Sequence, residues 1–289
     1  MTQHDLKQAT LGQLLDQAIA AHPDNDAVVY ADRDFRLTYR EFGDVVDRLA
    51  KGLMALGVQK NEKVAVWATN VPYWVALQFA TAKIGAILLT VNTNYKTAEL
   101  DYLLRQSETE NIFIIDGLRD TDYVQTLYEL VPELKIRERG FLKSEAFPHL
   151  KRVAFLGPEK HRGMYAIPEI MALHVMVDDA AYRERQANLD PHDVVNMQYT
   201  SGTTGFPKGV MLTHDNMVQN VLYSANRIPV TREDLALEFL PLCHVLERMV
   251  GYICMWKETS KAYCSVYHVG DLLGRIKPTL FAGVPRFYE

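Results

Sequence analysis

Apolar positions along this chain alternate between two periods, one helical and one of short continuous runs. Leu11, Leu14, Leu15, Ala18 and Ile19 share a helical face, with Thr10 placed to cap it and His22-Pro23 to end it. Ala27–Tyr30 reads as a strand with a turn at Asp32–Asp34. Thr38-x-x-Glu41 is a capping box opening a helix that carries Phe42, Val45, Val46, Leu49, Leu53 and Leu56 and stops at Gly57. The alternation continues through a strand at 63–67, a helix at 71–84, a strand at 86–91, a Thr97-capped helix to Leu104, a buried strand at 111–115 and a helix at 120–130. Prolines, charges and glycines then make 131–151 a connecting region. A strand follows at 152–156, a turn-rich loop at 157–163, a helix near 168–173 and a polar stretch at 178–192. Strands are predicted at 193–199, 235–240, 261–266 and 279–282, and helices from Thr213 to about Ser224, over 250–256 and over 270–276. This density of strand–helix alternation predicts an α/β fold with largely parallel sheets and helices on both faces.

The chain has 289 residues, 48% of them hydrophobic, enough for a large core. The formal charge is −5, with acids and bases interleaved and no basic block, which speaks against a nucleic-acid partner. Cys243, Cys254 and Cys264 are too few and too clustered for a disulfide framework, and a cytoplasmic location is expected. His244 and His268 lie near them, but without a CxxC or HxxxH pair no metal site is assigned. The start of the chain shows no signal-peptide pattern. Residues 71–91 are apolar and long enough to span a bilayer, but Lys83 would cost roughly 2.5–3.5 kcal/mol at its centre. A helix, a turn at Gly85 and a buried strand explain the run without a transmembrane span. Trp67, Trp74, Met211 and Met217 are assigned to the core, and Tyr199 to packing ahead of a place at the site.

The chemistry concentrates in YTSGTTGFPKGVMLTH, residues 199–214. Thr200, Ser201, Gly202, Thr203, Thr204 and Gly205 are small or hydroxylated, so backbone N–H groups and hydroxyls can approach a phosphate closely. Lys208 adds a cation, and Pro207 stiffens the chain before it. A Walker A loop is excluded because Pro207 stands where its second glycine belongs, and a dinucleotide Gly-x-Gly-x-x-Gly is absent. The plain alternative is a surface turn without a ligand.

This stretch resembles the phosphate-binding signature of the adenylate-forming superfamily, which includes acyl-CoA synthetases, luciferases and peptide-synthetase adenylation domains. The resemblance runs from about Thr10 to the last residue and is closest to fatty acyl-CoA synthetases. It implies that Thr200, Ser201, Thr203, Thr204 and Lys208 contact the β- and γ-phosphates of ATP, and that Gly202, Gly205 and Gly209 shape the loop. LPLCHVLER, residues 240–248, resembles a second family motif whose His or aromatic lies beside the carboxylate substrate, here His244. Glu247 and Arg248 resemble the long-chain members, with a surface ion pair as the plain alternative. TLFAGVPRFYE, residues 279–289, resembles the next strand and turn, which implies an acyl-pocket wall at Gly283, Val284 and Pro285. Arg286 is assigned either to a carboxylate or to a helix end. Two features depart from the pattern. Residues 257–268 are polar where relatives have a Gly-containing turn, and short-chain-like and long-chain-like stretches are mixed.

The implied reaction joins a carboxylic acid, here a fatty acid, to ATP with Mg²⁺, and then passes the acyl group to CoA. By the same resemblance, an adenine-stacking segment, a Mg²⁺-binding Glu, a ribose-binding Asp and a mobile C-terminal domain lie downstream of Glu289. The chain is therefore expected to be an incomplete N-terminal AMP-binding domain. Residues 1–192 would form a first subdomain, and 193–289 the phosphate loop and the start of an acyl-pocket subdomain. Such a chain would be inactive alone and would need its C-terminal half. Peripheral membrane contact is left open. The alternatives are a non-catalytic interaction module with residual phosphate binding, and an adenylating enzyme whose acceptor is a carrier-protein thiol.

Overall fold

The computed structural model describes residues 8–200 and 207–288. Helix α1 (Leu11–Ala21) opens on the predicted cap: the Thr10 hydroxyl accepts from Gln13 N, and the Gln13 side chain accepts from Thr10 N. Strand β1 (Asp26–Tyr30) turns into β2 (Phe35–Thr38), a strand absent from the pattern reading, and α2 (Tyr39–Ala55) starts at the expected Thr38–Glu41 box. Next come β3 (Lys63–Trp67), α3 (Pro72–Ile84), β4 (Ile87–Thr90), α4 (Thr97–Ser107) and β5 (Asn111–Ile114). Thr97 is not the cap of α4. Lys96 holds that position in extended backbone, and its N–H donates to the Glu99 carboxylate at 3.0 Å.

The predicted helix at 120 begins later. A hairpin of β6 (Gly117–Leu118) and β7 (Thr121–Asp122) precedes α5 (Tyr123–Leu130), because Asp122 caps the helix through Gln125 N. After a 3₁₀ turn at Pro132–Lys135 come β8 (Arg152–Phe155), β9 (Tyr165–Ala166) and α6 (Ile167–Ala172), then α7 (Asp179–Ala187) inside the polar stretch. Strand β10 (Val194–Thr200) is followed by β11 (Lys208–Thr213) and α8 (His214–Ala225). The chain closes with β12 (Leu235–Glu238), α9 (Val245–Trp256), β13 (Ser260–Tyr263), α10 (Val269–Ile276), β14 (Leu280–Phe281) and α11 (Pro285–Tyr288).

The strands form two main sheets. One runs β11-β10-β4-β3-β5-β8-β9, parallel throughout except for the β10–β11 hairpin. The other runs β14-β12-β13-β1-β2, parallel except for β1–β2. Residues from both ends of the sequence thus share the second sheet. Side chains alternate across β3: Val64 and Val66 enter one core, Ala65 and Trp67 the other. The first core also takes the buried faces of α1, α2, α3, α8 and α9 together with Val28, Tyr30 and Tyr263, so these helices lie between the sheets. Helices α4 and α5 cover the outer face of the larger sheet, and α10 that of the smaller.

Helix α3 is buried nearly all round. Its Lys83 is 3% exposed and is held by Asp16 at 2.6 Å and Asp47 at 2.7 Å, from α1 and α2. Apolar residues 71–91 are therefore a core helix and strand, and no described helix is long and apolar enough to cross a membrane. Trp67, Trp74 and Met217 are core as expected, whereas Met211 is 61% exposed on β11. It lies on the edge strand of its sheet, which no further strand covers.

Helix α2 packs closely on α6. A Cβ at Gly52 would lie 2.1 Å from the Ile170 carbonyl oxygen, a backbone atom that cannot swing away. Gly52→Ala is expected to lower stability by about 1–3 kcal/mol despite alanine's better helix propensity. The measurement is the urea midpoint at unchanged slope; an equal or higher midpoint would contradict this packing.

Candidate functional site

Strand β10 ends at the C-terminal edge of a parallel sheet, where open α/β folds place ligands. Thr200 pairs with Lys208 and Tyr199 with Gly209, so β10 and β11 form an antiparallel pair on either side of the phosphate-type stretch. Ser201, Gly202, Thr203, Thr204 and Gly205 lie outside the described residues. Thr200 and Lys208 are both exposed at the end of that pair, and Lys208 has no ion pair among the described residues. Gly209 permits the close fit of β11 on β10: a Cβ there would sit 3.1 Å from Met197 Sδ and 3.2 Å from the Tyr199 ring. Tyr199 is buried, and its hydroxyl donates to Gln106 of α4, which fits the packing role. Tyr102 of the same helix donates to the Pro207 carbonyl at 3.4 Å.

His244 stands at the N-cap of α9, exposed, one residue after a tightly held turn. Asn70, beyond the end of β3, donates to Leu240 O at 2.8 Å and accepts from Leu242 N at 2.9 Å. Gln198 of β10 donates to Cys243 O at 2.9 Å. Arg248, one turn into α9, donates to Gln198 Oε1 at 2.6 Å and to Asn196 Oδ1 at 3.0 Å. The strand that carries the phosphate-type loop and the turn that carries His244 are thus joined by side chains. Desolvation at the turn, and then the Arg248 charge, hold the His244 imidazole below its ordinary value of 6.5, which favours the neutral ring.

The surface ion-pair reading of Glu247 and Arg248 is overturned. Both are 1% exposed, and Arg248 pairs with amides instead of a carboxylate. Its Nε has no hydrogen-bond partner among the described residues. Glu247 accepts from Leu240 N at 3.1 Å, which secures the same turn. Behind it Glu238 is 0% exposed, its burial offset by the Lys261 charge and the Tyr263 hydroxyl. Burial raises the Glu238 pKa against the opposing pull of Lys261, and burial together with Glu238 raises that of Glu247. The two acids favour their protonated forms in the fold.

Gly283 and Val284 follow β14, which pairs with β12, and Pro285 opens α11, so these three residues lie just beyond the strand adjoining the one that leads to His244. The described cleft between the sheets, about 220 Å³, includes neither them nor His244. Its walls include Asn70, Phe239, Pro241, Arg33 and Arg119, and Arg119 donates to the Tyr267 hydroxyl at 2.8 Å. Among the described residues no cluster of His, Cys, Asp or Glu could hold a metal ion, and all three cysteines are free and buried. The pattern reading missed Asn70, Asn196 and Gln198. Its available signal was two polar residues, at 196 and 198, in an otherwise apolar strand.

The family model described as AMP-binding enzyme matches residues 15–289. YngI of Bacillus subtilis (strain 168), whose name describes an acyl-CoA synthetase, is 46% identical over 249 residues, covering 86% of this chain and 45% of YngI. The mitochondrial medium-chain acyl-CoA ligase ACSF2 of Mus musculus is 32% identical over 99% of this chain and 48% of its own length. The chain therefore spans about half the length of these relatives. In fold, it is similar to a long-chain-fatty-acid-CoA ligase (FadD1) from Archaeoglobus fulgidus, with a TM-score of 0.78, 23% identity and coverage of 96% of this chain and 52% of that one.

The buried acids give a pH dependence with a definite sign. An acid whose pKa is raised by folding stabilises the fold below its ordinary value of 4.5, and that contribution is lost as the pH rises toward the folded value. Glu238→Gln is therefore expected to gain on the parent chain by up to about 1.4 kcal/mol per pH unit between about pH 5 and pH 7. Urea unfolding of both proteins across that range checks it; a pH-independent difference would contradict a protonated Glu238.

Proposed function

Because the chain belongs to the AMP-binding enzyme family, we propose that it supplies the ATP-phosphate and acid-binding part of an AMP-forming acid–thiol ligase. The carboxylate of a fatty acid attacks the α-phosphorus of ATP, the bond to pyrophosphate breaks, and an acyl-adenylate forms. The thiol of CoA then takes the acyl group and AMP leaves. The observation that carries this reading is the tie between the β10–β11 hairpin and the His244 turn through Gln198 and Arg248. It joins the strand that leads into the phosphate-type loop to the turn that carries a polar side chain, His244, as positioning catalysis requires.

In this reading Thr200, Ser201, Thr203, Thr204 and Lys208 hold the β- and γ-phosphates and draw off the charge that develops on pyrophosphate. Gly202, Gly205 and Gly209 let the backbone approach. His244, neutral, orients the acid's carboxylate, and Gly283, Val284 and Pro285 wall its acyl chain. Arg248 is a positioning residue. As a buried cation without a counter-anion, it also makes the neighbourhood favourable for anionic groups. Arg119 in the cleft supports an anionic thiol substrate such as CoA. Mg²⁺ would enter with the ATP phosphates, since the described side chains offer it no ligand cluster. The remaining steps are assigned to a C-terminal part like the further half of the longer relatives. Free, buried cysteines support a reducing, cytoplasmic setting.

ATP with Mg²⁺ is expected to stabilise the chain by about 2.7 kcal/mol at a hundredfold excess over its Kd. Lys208→Ala should remove most of that gain. Thermal melts with and without ATP check the loop; an ATP shift untouched by the substitution would sink its assignment. Pyrophosphate exchange with short, medium and long fatty acids then reads the acid class. Exchange without any benefit from CoA in the following step would favour a carrier-protein acceptor.

A further inference from the structure

One face far along the chain from the phosphate loop has a composition unlike the rest. Residues 136–143 follow the 3₁₀ turn and present Ile136, 73% exposed, and Phe141, 72% exposed, on either side of Arg137, Glu138 and Arg139. The segment is anchored rather than loose. Arg139 pairs with Glu169 of α6 and stacks over the Tyr165 ring at 5.4 Å, and Gly140, at φ +83°, passes so close that a Cβ would meet the Tyr165 hydroxyl at 2.7 Å. Lys160 and Arg162, from the loop between β8 and β9, complete an open concavity of about 630 Å³.

Four cations, Arg137, Arg139, Lys160 and Arg162, line it against two acids, Glu138 and Glu169. Glu169 is engaged by Arg139 and, at 3.7 Å, by Lys160. Arg137 and Arg162 are exposed and have no ion pair among the described residues. The patch is therefore net positive on a chain of net charge −5. Ile136 and Phe141 do not line the concavity; they project singly from the charged segment that forms one of its walls, and offer no groove that would receive a helix. Basic side chains beside isolated apolar tips match the interface of an anionic bilayer, where the cations meet headgroup phosphates and the tips enter the acyl boundary.

We propose that this face docks the protein reversibly on an anionic lipid surface. This proposal does not rest on the ATP reading: docking uses no residue assigned to the phosphate loop or to the His244 turn.

The test is co-sedimentation of the full chain with phosphatidylcholine vesicles containing either no or about a third phosphatidylglycerol, at low and physiological salt. Retention is expected on the anionic vesicles only, and weaker at higher salt. Lys160→Glu/Arg162→Glu, which leaves the Arg139–Glu169 pair intact, should weaken it at least about tenfold. Ile136→Ser/Phe141→Ser should weaken it independently, with both variants melting like the parent. The proposal is overturned by no retention on anionic vesicles, by equal retention on neutral ones, or by retention that neither variant changes. Capture by soluble poly-glutamate without vesicle binding would also overturn it and assign the face to an acidic protein.

Discussion

The site depends on the clamp that Arg248 makes inside the protein. Its guanidinium reaches from α9 to Asn196 and Gln198, two buried polar side chains of β10. Gln198 passes the connection to the Cys243 carbonyl and, on its other side, accepts from Thr90 of β4 at 3.1 Å. An arginine buried without a carboxylate is costly unless its hydrogens are used, so this arrangement tolerates few alternatives. It joins β10 to the turn that carries His244, though the two belong to different sheets.

The layered fold makes that clamp necessary. Helices α1, α2, α3, α8 and α9 fill the space between the sheets, and apolar contact alone would allow the sheets to slide on them. Directional contacts remove that freedom. Asn70 ties the end of β3 to the turn after β12. His214, fully buried at the start of α8, accepts from Leu11 N of α1 at 3.1 Å through Nδ1. Burial lowers its pKa to about 4, so it remains the neutral acceptor that this bond requires. Lys83 gathers Asp16 and Asp47 from the helices on either side. Polar contacts of this kind specify one arrangement where packing would permit several.

Much of this was legible along the chain because its signals are local. The cap at Thr10, the capping box at Thr38, the apolar runs of β3 and β5, and the helix–turn–strand at 71–91 each depend on neighbours in sequence, and each stands where the pattern puts it. The misses at the site share the opposite property. Strand β11 is visible only through its pairing with β10, and Met211 is exposed because β11 forms an edge. Glu247 and Arg248 look like a surface pair on a helix, and only the strands packed against them show them to be buried. The membership of β1 and β2 in the sheet of β12, β13 and β14 joins residues more than two hundred positions apart, and no local period encodes it. The loop signature was legible as a motif, whereas the clamp behind it, made of Asn196, Gln198 and Arg248, needed the fold.

Under the proposed function, ATP bound at the hairpin is felt at the His244 turn through Gln198 and Arg248. Hydrogen–deuterium exchange with and without ATP and Mg²⁺ tests it most directly. The account predicts added protection of the amides of Lys208–Thr213 and Leu240–Arg248 together, with the second lost in Arg248→Met while the first persists. Protection confined to the hairpin in the parent chain, or absent from both segments, would contradict it.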